Sequence, residues 1–158
     1  NFSEHQLDMV RVGIGLYGVG NNEIENQQLQ NVATLKTIIL QINEINKGES
    51  VGYGRRYVAE TTKKIATIPI GYADGIRRSY GNEKGYVLVN GVKAPIVGSV
   101  CMDMLMADVS NCQATVGDEV IVFGDELRIT EVAKLWNTIP YEVMTAISQR
   151  VKRIFYKE

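Results

Sequence analysis

The chain has 158 residues, 45% of them hydrophobic and 22% charged, and a formal net charge of -1. This composition is typical of a globular protein of one domain, or of one domain and a small remainder. The chain lacks the basic surface of a nucleic-acid-binding protein and any apolar run near the roughly 18 residues of a membrane span. We therefore expect neither nucleic acid nor a membrane as partner.

Two cysteines, Cys101 and Cys112, and a single histidine, His5, limit the chemistry of the chain. Two cysteines in a chain of this length are not a disulfide framework, so we expect a reducing compartment. One histidine disfavours a histidine-based metal site and a Ser-His-Asp triad. We expect no bound metal.

Most predicted elements are strands, because β-branched residues alternate along the chain between glycine-rich turns. In chain order, residues 9–19 predict a buried strand or the exit from one. Further strands are predicted at residues 32–45, 64–75, both arms of a hairpin at 85–98, 99–110, 116–125 and 150–156. Residues 21–31 are polar and predict a linker. The hairpin turn is Asn90-Gly91, a dipeptide that tolerates the positive φ required at both central positions.

Helical periodicity appears after Thr130, the predicted N-cap. The i, i+3, i+4, i+7 spacing of an amphipathic helix is followed by Val132, Leu135, Trp136 and Ile139. Pro140 ends this helix and is suited to open the next one. About seven strands with one or two short helices predict a mainly β fold, an antiparallel barrel or sandwich. The same pattern fits a binding module without chemistry.

Four features are candidates for chemistry: Arg11 inside an apolar run, Tyr53 and Tyr72 at glycine bends, and the cluster CMDM at residues 101–104. Each has an ordinary structural interpretation. An arginine at a strand end usually snorkels to solvent, a glycine-flanked tyrosine usually belongs to a turn, and methionine-rich strands usually pack in a core.

Taken in order, several segments resemble one protein family: VRVGIGLYG, VGYGRRY, IPIGYADG, VNGVKAPIVGSVCMDM, VGDEV and IPYEVMTAISQRVKRIF. They look like the C-terminal domain of bacterial alanine racemase, and the resemblance covers about residues 8–155. Agreement in identity, order and spacing is more specific than any single motif, so it overrides the ordinary interpretations at the matching positions. A fusion in which the racemase follows a muramoyl-tripeptide ligase also stays open.

The resemblance implies a fold-type-III pyridoxal phosphate (PLP) enzyme that interconverts L-alanine and D-alanine for peptidoglycan synthesis in the bacterial cytoplasm. Residues 1–20 would be the last strand and exit of an N-terminal (β/α)8 barrel, and residues 21–158 a Greek-key-like β-barrel domain. The Schiff-base lysine would lie in the barrel, outside this chain. Family members are homodimers that share active sites, with each β domain packed against the partner's barrel.

By the same resemblance, Tyr53 is the catalytic base that abstracts the Cα proton of L-alanine in the partner subunit's site, while the lysine serves D-alanine. A free phenol has a pKa near ~10. It therefore works near neutrality only with cationic or hydrogen-bonding neighbours. The glycines on both sides of Tyr53 would let it reach beyond its own domain.

Other positions match the cofactor site of the family. Arg11 would donate to the PLP ring nitrogen and keep it unprotonated, because a guanidinium can only donate. The backbone of Gly13 and Ile14 would bind the phosphate. Gln149 stands where many members have a tyrosine that contacts the phosphate and orders the catalytic tyrosine.

The remaining matches belong to the substrate site. The Met102 N–H would bind the substrate carboxylate, and Cys101 and Asp103 would shape the pocket. Tyr72 would lie at a narrow substrate entrance that favours small side chains. Arg78 lies near the position of an entrance arginine, and Ser99 replaces another arginine that some members have there.

Two alternatives stay open. Gln149 and Ser99 motivate a racemase of the same fold that acts on serine or on a broader range of amino acids. A non-catalytic β domain that only dimerises is the other alternative. The joint presence of Arg11, Tyr53 and Met102 argues against it.

The isolated 158-residue chain is expected to bind PLP poorly and to have no racemase activity, because it lacks a lysine in the matching context. The purified chain, mixed with PLP, would be assayed by absorbance and by chiral analysis of alanine. A yellow, active preparation would contradict this expectation.

Overall fold

The computed structural model describes residues 3–156. The chain divides into two compact units, Asn1–Ala33 and Thr34–Glu158. The division predicted from the sequence, between a barrel end at residues 1–20 and a β domain at 21–158, stays a prediction.

The first unit contains a short helix, α1, at Glu23–Gln28. Asn22 is its N-cap and accepts a hydrogen bond from the Glu25 N–H at 2.9 Å. Glu25 reaches back to the Asn21 N–H at 2.8 Å. These bonds satisfy N–H groups at the start of the helix, as a capping box does. The linker predicted at residues 21–31 was therefore wrong in its central part.

Residues 9–19 were predicted as a strand or the exit from one, and the strand alternative was wrong. The segment instead contains a 3-10 turn at Ile14–Tyr17, preceded by irregular backbone. A strand needs a neighbour for its backbone hydrogen bonds, and residues 3–33 contain no other strand to supply them.

The second unit is mainly β. Within residues 34–156 its strands are β1 Leu35–Ile38, β2 Gln41–Ile45, β3 Ser50–Val51, β4 Tyr57–Val58, β5 Lys63–Ile68, β6 Tyr86–Val89, β7 Val92–Val97, β8 Leu105–Asp108 and β9 Glu119–Phe123. Two helices follow, α2 at Ile129–Leu135 and α3 at Pro140–Ala146. Seven strands form one antiparallel sheet in the order β1-β9-β6-β7-β8-β5-β2, and β3 and β4 form a separate ribbon. The predicted mainly β, antiparallel fold is confirmed as a curled half-barrel sheet.

The curl of the sheet follows from a short link between its opposite edges. β1 and β2 stand at the two ends of the strand order, yet only Ile39 and Leu40 separate them. A flat sheet of this size would place its edges roughly 29 Å apart, at about 4.8 Å per strand. Three Cα–Cα steps span at most about 11 Å, so the sheet must bend.

Hydrogen bonds hold this link to both sides of the sheet. The Ile39 N–H donates to the Asp118 carbonyl at 3.0 Å, beside β9, and the Leu40 N–H donates to the Thr67 carbonyl of β5 at 2.9 Å. The single strand predicted at residues 32–45 was wrong for this reason, because the break lets one segment serve both edges.

The β6–β7 hairpin is confirmed, with Asn90 and Gly91 at φ values of 51° and 75°. The strand predicted at residues 99–110 is shorter, because residues 99–104 form a loop and only Leu105–Asp108 pair with neighbours. Its first three residues are all buried, so both faces of this strand are covered.

The C-terminal part departs from the prediction in two places. Helix α2 begins at Ile129, a buried residue, with Arg128 as N-cap, so the predicted cap at Thr130 was wrong. Pro140 opens α3 as predicted. Residues 150–156 form no strand, and Arg153 instead donates to three main-chain carbonyls, those of Ile147, Ser148 and Val151. No helix among residues 3–156 is long and apolar enough to cross a membrane.

Replacing Ile39 with alanine is expected to lower the free energy of unfolding by about 2–5 kcal/mol, because it leaves a cavity in the core. Ile39 is fully buried, whereas 49% of its neighbour Leu40 is exposed. Leu40→Ala, the matched control, is expected to cost about 0.5 kcal/mol. Urea denaturation of both variants measures their free energies of unfolding. Equal losses of stability in the two variants would contradict the claim that the burial of Ile39 stabilises the link.

Candidate active site

Tyr53 lies between β3 and β4 in a 3-10 turn, Tyr53–Arg55, and its side chain is 80% exposed. Gly52 and Gly54 on either side have φ values of 72° and 70°. Residues with a Cβ rarely adopt this region, so the glycines permit the turn. The Tyr53 phenol makes no hydrogen bond to any residue within 3–156. The phenol is therefore presented to solvent, and the catalytic role predicted for it stays a prediction.

The base of this ribbon is packed even though its tip is exposed. Its core cluster consists of Val51, Tyr57, Ala59, Ile65, Val97 and Met106. The Ala59 N–H donates to the Glu49 carbonyl at 2.8 Å, and the Gly48 N–H donates to the Ala59 carbonyl at 2.7 Å. These contacts anchor the ribbon while they leave the phenol free.

The structure brings three of the predicted substrate residues together. The Tyr72 N–H donates to the Cys101 carbonyl at 2.9 Å, and the Ala73 N–H donates to the Met102 carbonyl at 3.0 Å. A Cβ at Gly71 would lie 2.3 Å from the Met102 carbonyl oxygen, so only glycine allows this close approach. The Tyr72 turn and the loop at residues 101–104 are therefore packed together, and they form the substrate cluster.

Within the substrate cluster, the Met102 N–H makes no hydrogen bond to any residue between 3 and 156, and Met102 is 53% exposed. A free backbone N–H at an exposed turn can donate a hydrogen bond to a carboxylate. The Cys101 N–H, in contrast, donates to the Met104 carbonyl at 2.9 Å and closes the loop.

Arg150 links this loop to the turn, and the sequence did not single it out. Its Nε donates to the Asp74 carboxylate at 2.7 Å, and its Nη2 donates to the Asp103 carboxylate at 2.6 Å. The other Asp74 oxygen accepts from the Gly71 N–H at 2.8 Å. Hydrogen bonds to Asp74 and then to Asp103 raise the pKa of Arg150 further, so it stays charged. Gln149 is exposed beside it.

A cleft of about 260 Å³ contains Arg78 and Ser99 in its lining, and Arg56 lies there too. Neither arginine pairs with a carboxylate among residues 3–156. The cleft therefore carries unneutralised positive charge, which favours anions. Arg56 was not identified from the sequence, although it follows Tyr53 by only three positions.

The predicted cofactor residues Arg11, Gly13 and Ile14 belong to the first unit. Arg11 is exposed, and Gly13 immediately precedes the 3-10 turn at Ile14–Tyr17. A Cβ built at Gly15 would meet nothing within 4 Å, so the space beside Gly15 is open. A phosphate group such as that of PLP can enter this space. Residues 3–156 contain no group of three or more His, Cys, Asp or Glu that could hold a metal ion.

Comparison with known proteins points to one family. A family model described as "Alanine racemase, C-terminal domain" matches residues 32–155. The alanine racemase of Halothermothrix orenii is 45% identical over 160 residues, covering 97% of this chain and 42% of that protein. Alanine racemase 2 of Caldanaerobacter subterraneus subsp. tengcongensis is 46% identical over 156 residues, covering 94% of this chain and 40% of that protein.

Solved structures agree with these matches. Alanine racemase from Bartonella henselae, with covalently bound pyridoxal phosphate, superposes with a TM-score of 0.84 at 36% identity, covering 91% of this chain and 40% of that one. The Bacillus anthracis enzyme with bound L-Ala-P gives 0.84 at 37% identity, covering 92% and 39%. The present chain thus spans about two fifths of the length of the proteins it matches.

Gly71→Ala is expected to push the 101–104 loop away from the Tyr72 turn, because the new methyl group would overlap two carbonyl oxygens. The amide hydrogens of Tyr72 and Ala73 should then exchange faster with solvent. Gly124→Ala is a suitable control, since the Cβ there would lie 3.0 Å from a Thr34 side-chain carbon and would not meet main-chain oxygens. Unchanged exchange at both amides would contradict the close packing at Gly71.

Proposed function

This chain belongs to the alanine racemase family through its C-terminal domain, and we propose that the full-length protein interconverts L-alanine and D-alanine with PLP as cofactor. The observation that carries the proposal is the exposed Tyr53 on its anchored ribbon, within a domain that matches this family. The substrate cluster supports the same function, because its Met102 N–H is exposed and without a hydrogen-bond acceptor among residues 3–156.

The cofactor would be held in part by the first unit. The Gly13 and Ile14 backbone would bind the phosphate, and Arg11 would donate to the ring nitrogen. When bound, PLP delocalises the negative charge left at Cα after proton removal. An arginine partner keeps the ring nitrogen unprotonated and so moderates this delocalisation.

The substrate carboxylate would bind at the free Met102 N–H. Cys101 and Asp103 flank this group, and Tyr72 narrows the approach, so a methyl side chain is favoured over larger ones. Arg78 and Arg56 would add positive potential at the entrance, which raises the local concentration of an anionic ligand.

Tyr53 would hold and move a proton at its phenolic oxygen, as the base for L-alanine in the active site of a partner subunit. Its phenol has no hydrogen-bond partner among the described residues, so the groups that would stabilise the phenolate must come from elsewhere. A homodimer in which each chain donates Tyr53 to the other supplies them. Such an interface would also cover exposed apolar side chains at Tyr72, Met102 and Met104.

We place this reaction in the bacterial cytoplasm, where D-alanine would be used for peptidoglycan. The family and a cysteine content that suits a reducing compartment support this location.

Tyr53→Phe in the full-length protein is expected to lower the rate of L-alanine racemisation by roughly 10²- to 10⁴-fold, the usual contribution of a general base. Exchange of the Cα proton with solvent deuterium should be lost mainly from L-alanine and persist from D-alanine. Tyr141→Phe, a half-exposed tyrosine on α3, is the control for the loss of a hydroxyl. Equal loss of exchange from both enantiomers would contradict the assigned role. Racemisation of serine in place of alanine by the wild type would keep the fold assignment and change the substrate.

A further inference from the structure

We propose that Arg150 is a positioning residue for substrate binding: it fixes the Met102 loop and neutralises Asp103 beside the carboxylate site. This inference rests on the proposed function, because it assumes that the Met102 N–H binds the substrate carboxylate. Arg150 binds two carboxylates of its own chain, and the proposed role acts through Met102.

The positioning role follows from where the Arg150 side chain binds. Asp74 and Asp103 lie 76 and 47 residues from Arg150 along the chain. Asp74 belongs to the Tyr72 turn, and Asp103 belongs to the loop that carries Met102. The guanidinium is planar and donates in two directions at fixed angles, at 2.7 Å and 2.6 Å. It therefore sets the distance between the two carboxylates. A lysine ammonium is a point charge on a flexible chain and sets no such distance.

The C-terminal segment is itself fixed to the same turn. The Ser148 N–H donates to the Asp74 carbonyl at 3.0 Å. A Cβ at Gly75 would lie 2.3 Å from the Ala146 carbonyl oxygen. The main chain next to Arg150 is therefore restrained. The Arg150 side chain can thus fix the position of the 101–104 loop.

Charge gives Arg150 its second role. Asp103 is adjacent to Met102, so an unpaired carboxylate there would repel the carboxylate of the substrate. The ion pair with Arg150 cancels this repulsion. Asp103 can then shape the pocket without disfavouring an anionic ligand.

The variants should fold, because the main-chain bonds from Tyr72 to Cys101 and from Ala73 to Met102 do not depend on Arg150. In the full-length protein, Arg150→Gln is expected to raise KM for L-alanine and for D-alanine by roughly 10- to 100-fold, with a smaller fall in kcat. Arg150→Lys should restore the charge but only part of the affinity. The double variant Arg150→Gln/Asp103→Asn should recover part of the KM lost in Arg150→Gln, because the uncompensated carboxylate is gone.

The control is Arg77→Gln, because Arg77 also joins two segments: it donates to the Trp136 carbonyl at 3.3 Å and pairs with Glu142, outside the site. Its alanine KM should match the wild type. An unchanged KM in Arg150→Gln, or a double variant no better than Arg150→Gln, would overturn the inference about Arg150 while racemisation itself stands. A wild-type protein that binds PLP but does not racemise alanine would instead overturn the proposed function, and the role of Arg150 with it.

Discussion

The two-residue link at Ile39 and Leu40 is the constraint on which the β unit depends. It forces the two edge strands to meet, and the sheet curls around a core that a flat sheet could not enclose. The curled sheet also pairs β5 with β8, with Ile68 opposite Leu105. The turn after β5 and the loop before β8 therefore leave the sheet at the same place, and the substrate cluster forms there.

The site combines rigid support with exposed reactive groups. Gly71 packs against the 101–104 loop. Arg150 joins the Asp74 carboxylate of the Tyr72 turn to the Asp103 carboxylate of the loop. Tyr53, by contrast, stands on an anchored ribbon with its phenol in solvent. A base that must serve a cofactor held by another subunit cannot be buried in its own domain. The exposure of Tyr53 is therefore what its proposed role in a shared active site requires.

Local chemistry in the sequence predicted some features well. The Asn90-Gly91 turn and the helix opened by Pro140 depend on neighbouring residues alone, and both are confirmed. The break at Ile39 was missed because alternation continues through it, and only the position of distant strands requires it. Arg150 was missed for a similar reason, since its partners are remote in sequence. The family was predicted from ordered motifs, which hold more information than periodicity does.

The exchange of Tyr53 between subunits is the central claim, and complementation tests it most directly. Two inactive full-length proteins would be mixed and allowed to exchange subunits: Tyr53→Phe, and a variant without the cofactor-binding lysine of the barrel. If Tyr53 serves the partner's site, hybrid dimers contain one complete active site, and racemase activity appears on mixing. If the mixture stays inactive although hybrid dimers are present, Tyr53 acts within its own chain or not at all, and the shared-site proposal fails.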